Sequence, residues 1–156
     1  MKIIRYTDNN DKILQHFDNE IIIDPCTLPD AIENINFLNA ADCSDWVRLY
    51  FMMTDNDVLW IDNDCVQIAP YVFSGGMPHC ANMIGEPDIW VCYSGNCYFW
   101  QEYFERLLKM YPLRINAGNV ICAWLRGNRN EIKLISNGHF IHKPKLSEIE
   151  KLFNNA

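Results

Sequence analysis

Two short segments of this chain put carboxylates where they could act together. The apolar run Val58-Leu59-Trp60-Ile61 leads straight into Asp62-Asn63-Asp64. Residues i and i+2 of an extended chain point to the same side, so both carboxylates can reach one ion. Two aspartates held this close repel each other. A hard cation such as Mg²⁺ or Mn²⁺, which takes carboxylate oxygens together with substrate phosphates, relieves that repulsion. Upstream, Ser44-Asp45-Trp46-Val47-Arg48 places an aspartate and an arginine three apart, on one face of a helix. Taken alone, the first segment is a polar turn after a strand, and the second is a surface ion pair worth roughly 0.2–0.5 kcal/mol. The chemistry the first segment could do is to hold a hard cation together with substrate phosphates.

The elements that must position these residues follow from the apolar pattern. Ile3 to Tyr6 is a short β-prone run closed by Thr7-Asp8-Asn9-Asn10-Asp11, a strand with a polar loop at its carboxyl end. The spacing predicts a short helix over Lys12 to Phe17 and a strand at Ile21-Ile22-Ile23, buried on both faces. Leu28 to Leu38 is expected to be helical. Ser44 or Asp45 is the expected cap of a helix with Trp46, Val47, Tyr50, Phe51 and Met53 on its apolar stripe. Val58 to Ile61 is the strand that carries Asp62 and Asp64. Beyond a patternless stretch from Pro70 come a strand at Ile89 to Tyr93 and a helix from Tyr98 to Met110 stopped by Pro112. The apolar run Asn119 to Leu125, a last strand at Glu131 to Ile135 and a terminal helix at Leu146 to Phe153 complete the chain. Strands alternating with helices imply an α/β fold, and 156 residues imply one domain spanning 1–156.

Composition narrows the partners. Thirteen basic against twenty acidic residues leave a net charge of −7, which repels nucleic acid. Seven cysteines, an odd number without regular spacing, read as free thiols in a reducing compartment. The gaps separating His79-Cys80, Cys92 and Cys97 fit no zinc knuckle. The N-terminus lacks an apolar signal core, and no run of about eighteen apolar residues occurs. A cytoplasmic protein without a transmembrane segment is expected.

The helix Ser44-Asp45-Trp46-Val47-Arg48, followed by an apolar strand and Asp62-Asn63-Asp64, resembles the retaining glycosyltransferases that include capsular-polysaccharide sugar transferases and the catalytic domains of large clostridial toxins. That resemblance implies that Asp45 and Arg48 bind the donor sugar. It also implies that Asp62 and Asp64 hold the metal and contact the nucleotide. Three further segments are similar to the glycogenin and lipopolysaccharide galactosyltransferase family. Tyr6-Thr7-Asp8-Asn9-Asn10 resembles its first-strand motif, whose loop receives the uracil base. Ile115-Asn116-Ala117-Gly118 resembles its sugar-site motif. His139-Phe140 with Lys143-Pro144 resembles its last motif, which implies a histidine metal ligand, either His139 or His142, and a lysine on the diphosphate. The two resemblances imply an abbreviated GT-A (Rossmann-like) fold, a central mixed sheet flanked by helices. They further imply transfer of a hexose from a nucleotide sugar, a UDP-sugar by the uracil motif, to a glycan, lipid or protein acceptor, with Mn²⁺ or Mg²⁺ as cofactor. Two other readings use the same residues. One is a catalytically degenerate sugar-nucleotide binder, suggested by the short chain and by the absence of the glycines that usually precede the D-x-D strand. The other is a metal-dependent phosphohydrolase, though no second acidic cluster for a two-metal site is evident.

Overall fold

The computed structural model describes residues 1–110 and 116–154, with side chains to 151. The expected helix stop at Pro112 and the first residue of the Ile115-Asn116-Ala117-Gly118 segment lie outside the described residues.

Strand β1 (Lys2–Tyr6) lies between β2 (Ile21–Ile23) and β3 (Val58–Ile61), parallel to both. Beyond β3 the sheet turns antiparallel, with β6 (Glu86–Tyr93) and then β5 (His79–Met83), and β7 (Lys133–Leu134) closes the far edge parallel to β5. The result is a mixed six-stranded sheet of order β2-β1-β3-β6-β5-β7. A separate two-stranded antiparallel ribbon pairs β4 (Cys65–Gln67) with β8 (Phe140–His142).

Strand alternation sorts the core into two halves. Ile4, Tyr6, Val58 and Trp60 point to one face. There they pack with Trp46, Val47, Leu49 and Met52 of α1 (Ala40–Met52), Trp100, Phe104 and Leu107 of α2 (Cys97–Met110), and Ile121 and Leu125 of α3 (Ala117–Gly127). Leu59, Ile61, Ala81 and Val91 point to the other face. That face is covered by Cys65 and Phe140 of the ribbon, with Tyr71 and Phe73 from the segment before β5. A last helix, α4 (Leu146–Asn154), follows the ribbon. No helix among the described residues is long and apolar enough to cross a membrane.

The structure departs from expectation where short-range pattern was thin. Only Asn10–Lys12 is helical in the first connection, as one 3₁₀ turn capped by Asn9. Residues 28–38 form turns, not a helix, because Ile32 and Ile35 plug the core from a backbone that bonds back on Pro29 without repeating. Strand β2 is an edge strand with Ile21 exposed, so its unbroken isoleucine run does not mark burial on both faces. Helix α1 starts at Asn39, whose side chain accepts from the Asp42 amide at 2.8 Å. Asp45 and Arg48 therefore sit inside the helix, not at its cap. The last sheet strand is only Lys133–Leu134, and β4, β5 and β8 arise from pairings with distant partners.

One glycine is dictated by close approach. Gly95 has φ +63° and a Cβ there would lie 1.9 Å from the Met77 carbonyl oxygen. The β5–β6 hairpin is strained in the opposite sense. Its two-residue loop, Ile84-Gly85, has φ of +53° and +84°, and Ile84 is fully in solvent. A β-branched residue is poorly suited to the left-handed region, where Asn or Gly is usual in such turns. Replacing Ile84 by Asn is expected to raise unfolding stability by about 1 kcal/mol in a urea titration, with the slope unchanged.

Candidate functional site

The carboxyl ends of β2, β1 and β3 open side by side on one edge of the sheet, the end of parallel strands where loops are free to form a site. A cavity of about 350 Å³ lies there, lined by Tyr6, Lys12, Ser44, Asp45, Arg48, Trp60, Asp62, Asn63 and Asp64. A second one of about 240 Å³ adjoins it, sharing Tyr6, Lys12, Ser44 and Asn63 and adding Thr7, Asp8 and Pro25. Together they form one cleft of the size of small-molecule sites, about 300–1,000 Å³.

Arg48 holds the inner wall. Its side chain, 5% exposed, donates through Nη1 to Asp45 and through Nη2 to Asp62 Oδ1 at 2.7 Å. Its guanidinium carbon lies 4.7 Å from the Trp60 ring centroid, a cation–π contact. Trp60 Nε1 also donates to Asp62 Oδ1 at 2.7 Å, so one oxygen of Asp62 takes two hydrogen bonds. Burial works against the guanidinium charge, but Asp62 and then Asp45 outweigh it and raise its pKa above that of an ordinary arginine. Burial likewise raises the pKa of Asp45, with Arg48 opposing. Arg48 Nε has no partner among the described residues, nor does Asn63 Oδ1.

The two aspartates are not presented as i and i+2 of a straight strand. The chain turns after β3, with the Cys65 amide donating to Asp62 O at 3.1 Å. Asp62 faces Arg48 and Trp60, whereas Asp64 Oδ1 faces His142 Nε2 at 3.5 Å and Cys65 Sγ at 3.8 Å. Asp64, Cys65 and His142 have ligand atoms within 4.8 Å of one another, the one such metal-competent group among the described residues. His142 is set by stacking on Trp90, 5.2 Å between centroids and 8° between planes. His139 is turned elsewhere: its Nδ1 donates to the Pro70 carbonyl at 2.8 Å and its ring packs edge-on to Tyr71. Of the two candidate histidine ligands, the fold brings His142 to Asp64 and leaves His139 outside the group. Lys143, with φ +51°, donates its backbone N–H to Asp64 O at 2.8 Å.

Of the remaining expected residues, Tyr6, Thr7 and Asp8 line the cleft, and Gly118 lies behind its wall against Asp45. Tyr6 is buried, and its hydroxyl bonds Cys43; burial first, then that bond, raises its pKa. Thr7 is buried with Oγ1 donating to Asn9 O at 2.7 Å. Asp8 is exposed and pairs with Lys12 Nζ at 2.8 Å, a bond that lowers the Asp8 pKa. Asn116 caps α3 by accepting from the Asn119 amide, and Ala117 is buried. Gly118 abuts Asp45: a Cβ there would sit 2.5 Å from Asp45 Oδ2. A glycine in this position lets the start of α3 close over the α1 carboxylate.

Three supporting residues belong to none of the sequence motifs. Arg5, fully buried, donates through Nε to Ile61 O at 2.8 Å, through Nη2 to Asp62 O at 3.3 Å, and through Nη1 to Glu20 at 3.0 Å. It clamps the end of β3 just where the acidic turn begins. Lys12 comes from the first loop to line both halves of the cleft. Asp42 accepts from the Leu38 and Ala117 amides, both at 3.0 Å, tying α1 to α3. A basic residue inside an apolar strand was the only local signal for Arg5.

No protein-family model, curated protein or solved structure matches the chain.

Removing Arg48 would leave two poorly exposed carboxylates facing each other. Arg48→Gln is expected to cost about 3 kcal/mol of unfolding stability by chemical denaturation. Lys12→Gln, on the exposed wall, should cost under about 0.5 kcal/mol.

Proposed function

We propose that the cleft binds a nucleotide sugar through a divalent cation and that the protein is a retaining glycosyltransferase with an abbreviated GT-A arrangement. One observation carries this reading. The Ser44-to-Arg48 and Asp62-to-Asp64 segments, recognised separately in the sequence, line one cavity, and Tyr6-Thr7-Asp8 line its extension. Gly118, of the expected sugar-site segment, packs on Asp45. The unpartnered Arg48 Nε and Asn63 Oδ1 are a buried donor and acceptor beside the cleft, which a polar ligand or water would satisfy.

The donor set fits a cation. Asp64 and His142 offer a carboxylate and an imidazole, and the resemblance favours Mn²⁺ or Mg²⁺. When bound, such an ion neutralises charge that develops on a leaving diphosphate. The chain's own residues do the rest. Asp45 accepts hydrogen bonds from donor-sugar hydroxyls. Arg48 holds Asp45 and Asp62 apart and in place. By the resemblance, Lys143, whose backbone N–H is tied to Asp64, meets the diphosphate. Tyr6, Thr7 and Asp8 border the space for the base, uracil by the resemblance. No nucleophile need be assigned if the acceptor attacks on the face the phosphate leaves. The acceptor, whether glycan, lipid or protein, is left open, and seven unpaired cysteines suit a cytoplasmic setting.

A thermal-shift series with UDP, GDP and ADP, and with their hexose derivatives, tests this, each with and without Mn²⁺. UDP plus metal at about a hundred times its dissociation constant should add about 2.7 kcal/mol, on the order of 5–10 °C for a domain this size. Asp64→Asn should abolish the metal-dependent part. The wild type should also transfer or hydrolyse the bound UDP-hexose. Binding without turnover would make it a sugar-nucleotide binder, and no response to any nucleotide would sink both readings.

A further inference from the structure

The group at the turn after β3 contains a donor that neither Mg²⁺ nor Mn²⁺ favours. Cys65 follows Asp64 directly, is completely buried, and has Sγ 3.8 Å from both Asp64 Oδ1 and the Trp90 carbonyl oxygen. With His142 Nε2 3.5 Å from the same carboxylate oxygen, the three donors are oxygen, nitrogen and sulfur.

Spacing discriminates between ions. Octahedral Mg²⁺, with bonds of about 2.0–2.1 Å, needs neighbouring donors about 2.9 Å apart. Tetrahedral Zn²⁺, with Zn–N and Zn–O bonds of about 2.0–2.1 Å and Zn–S near 2.3 Å, sets its donors about 3.3–3.6 Å apart. The Oδ1–Nε2 separation of 3.5 Å falls in the tetrahedral range, the Oδ1–Sγ separation of 3.8 Å lies just beyond it, and all three donors lie within 4.8 Å of one another, wider than the octahedral spacing. Chemistry agrees with distance, because a thiolate and an imidazole select Zn²⁺ over Mg²⁺. The group is also held in place. His142 is stacked on Trp90, β4 and β8 pair Cys65 with His142, and the Lys143 amide bonds Asp64 O at 2.8 Å. Asp64 itself lines the cavity, so a fourth position on the ion can face the cleft.

The geometry points to a zinc site formed by Asp64, Cys65 and His142, with its fourth position open to water or a phosphate oxygen. As the Zn–S bond forms, the thiol proton passes to solvent, and no electron is transferred. The inference deepens the reading of the cleft. It rests on that reading for the ion's part in binding a nucleotide, and on the donor set alone for the ion's identity.

The test uses Co²⁺ as a spectroscopic stand-in for Zn²⁺ on the full chain under a non-thiol reductant. Wild-type protein should show a near-ultraviolet thiolate-to-cobalt charge-transfer band with intense tetrahedral visible bands, and one equivalent of Zn²⁺ should erase both. Cys65→Ser should lose the charge-transfer band and weaken Zn²⁺ binding by more than about tenfold. Cys26→Ser, at an exposed thiol elsewhere, should change neither. His142→Gln, at a partly exposed position, provides a second ligand variant should Cys65→Ser fold poorly, and it should weaken Zn²⁺ by a similar factor while circular dichroism is unchanged. Cobalt bound without a thiolate band overturns the proposal, as does Mn²⁺ binding that outcompetes Zn²⁺. If the band appears but UDP never raises the melting midpoint, the zinc site stands and the nucleotide-sugar reading falls. If UDP binds with Mn²⁺ and no thiolate band forms, the reverse holds.

Discussion

A buried guanidinium between two carboxylates is the interaction on which the cleft depends. Arg48 comes from the middle of α1 and reaches over Trp60 to Asp62 at the end of β3, while retaining Asp45 on its own helix. Such a group is costly to bury unless its charge is matched on both sides, and here the two aspartates match it. The helix is thereby locked against the strand at one register. Both motifs face the same space because the arginine of one bonds the first aspartate of the other.

The sheet supplies the second constraint. Three parallel strands end together, so their following loops cluster, and Arg5 fastens the carbonyls of Ile61 and Asp62 from beneath. Asn63 then donates to Tyr6 O at 2.9 Å, joining the acidic turn to the end of β1. At the other end of α1, Asp42 accepts from Ala117 and draws in the start of α3, which lets Gly118 press on Asp45. Each contact joins segments far apart in the chain, and together they make one rigid wall from four elements.

Within that wall the two aspartates have been given different work. Asp62 has an oxygen already engaged by two donors, an arrangement that fixes position. Asp64 lies against a histidine and a thiol from the β4–β8 ribbon, three donors placed so that they could hold a cation. A turn of the backbone separates the two environments by two residues, so the two carboxylates line one cavity without sharing the face of a straight strand.

Local pattern alone identified the α/β class, β1, β3, α1, α2 and the acidic and basic residues of the inner wall, because a long apolar period or an abrupt switch from apolar to acidic is written in neighbouring residues. It misjudged residues 28–38, where Ile32 and Ile35 answer to the core and not to a helical repeat. It also passed over β4, β5 and β8, whose hydrogen bonds go to partners tens of residues away. His142 over His139, the thiol of Cys65, and the burial of Arg5 were decided by tertiary structure. Which side chain meets which ligand depends on how distant strands pair and where a turn points its carboxylate, and neither is encoded in the spacing of adjacent residues.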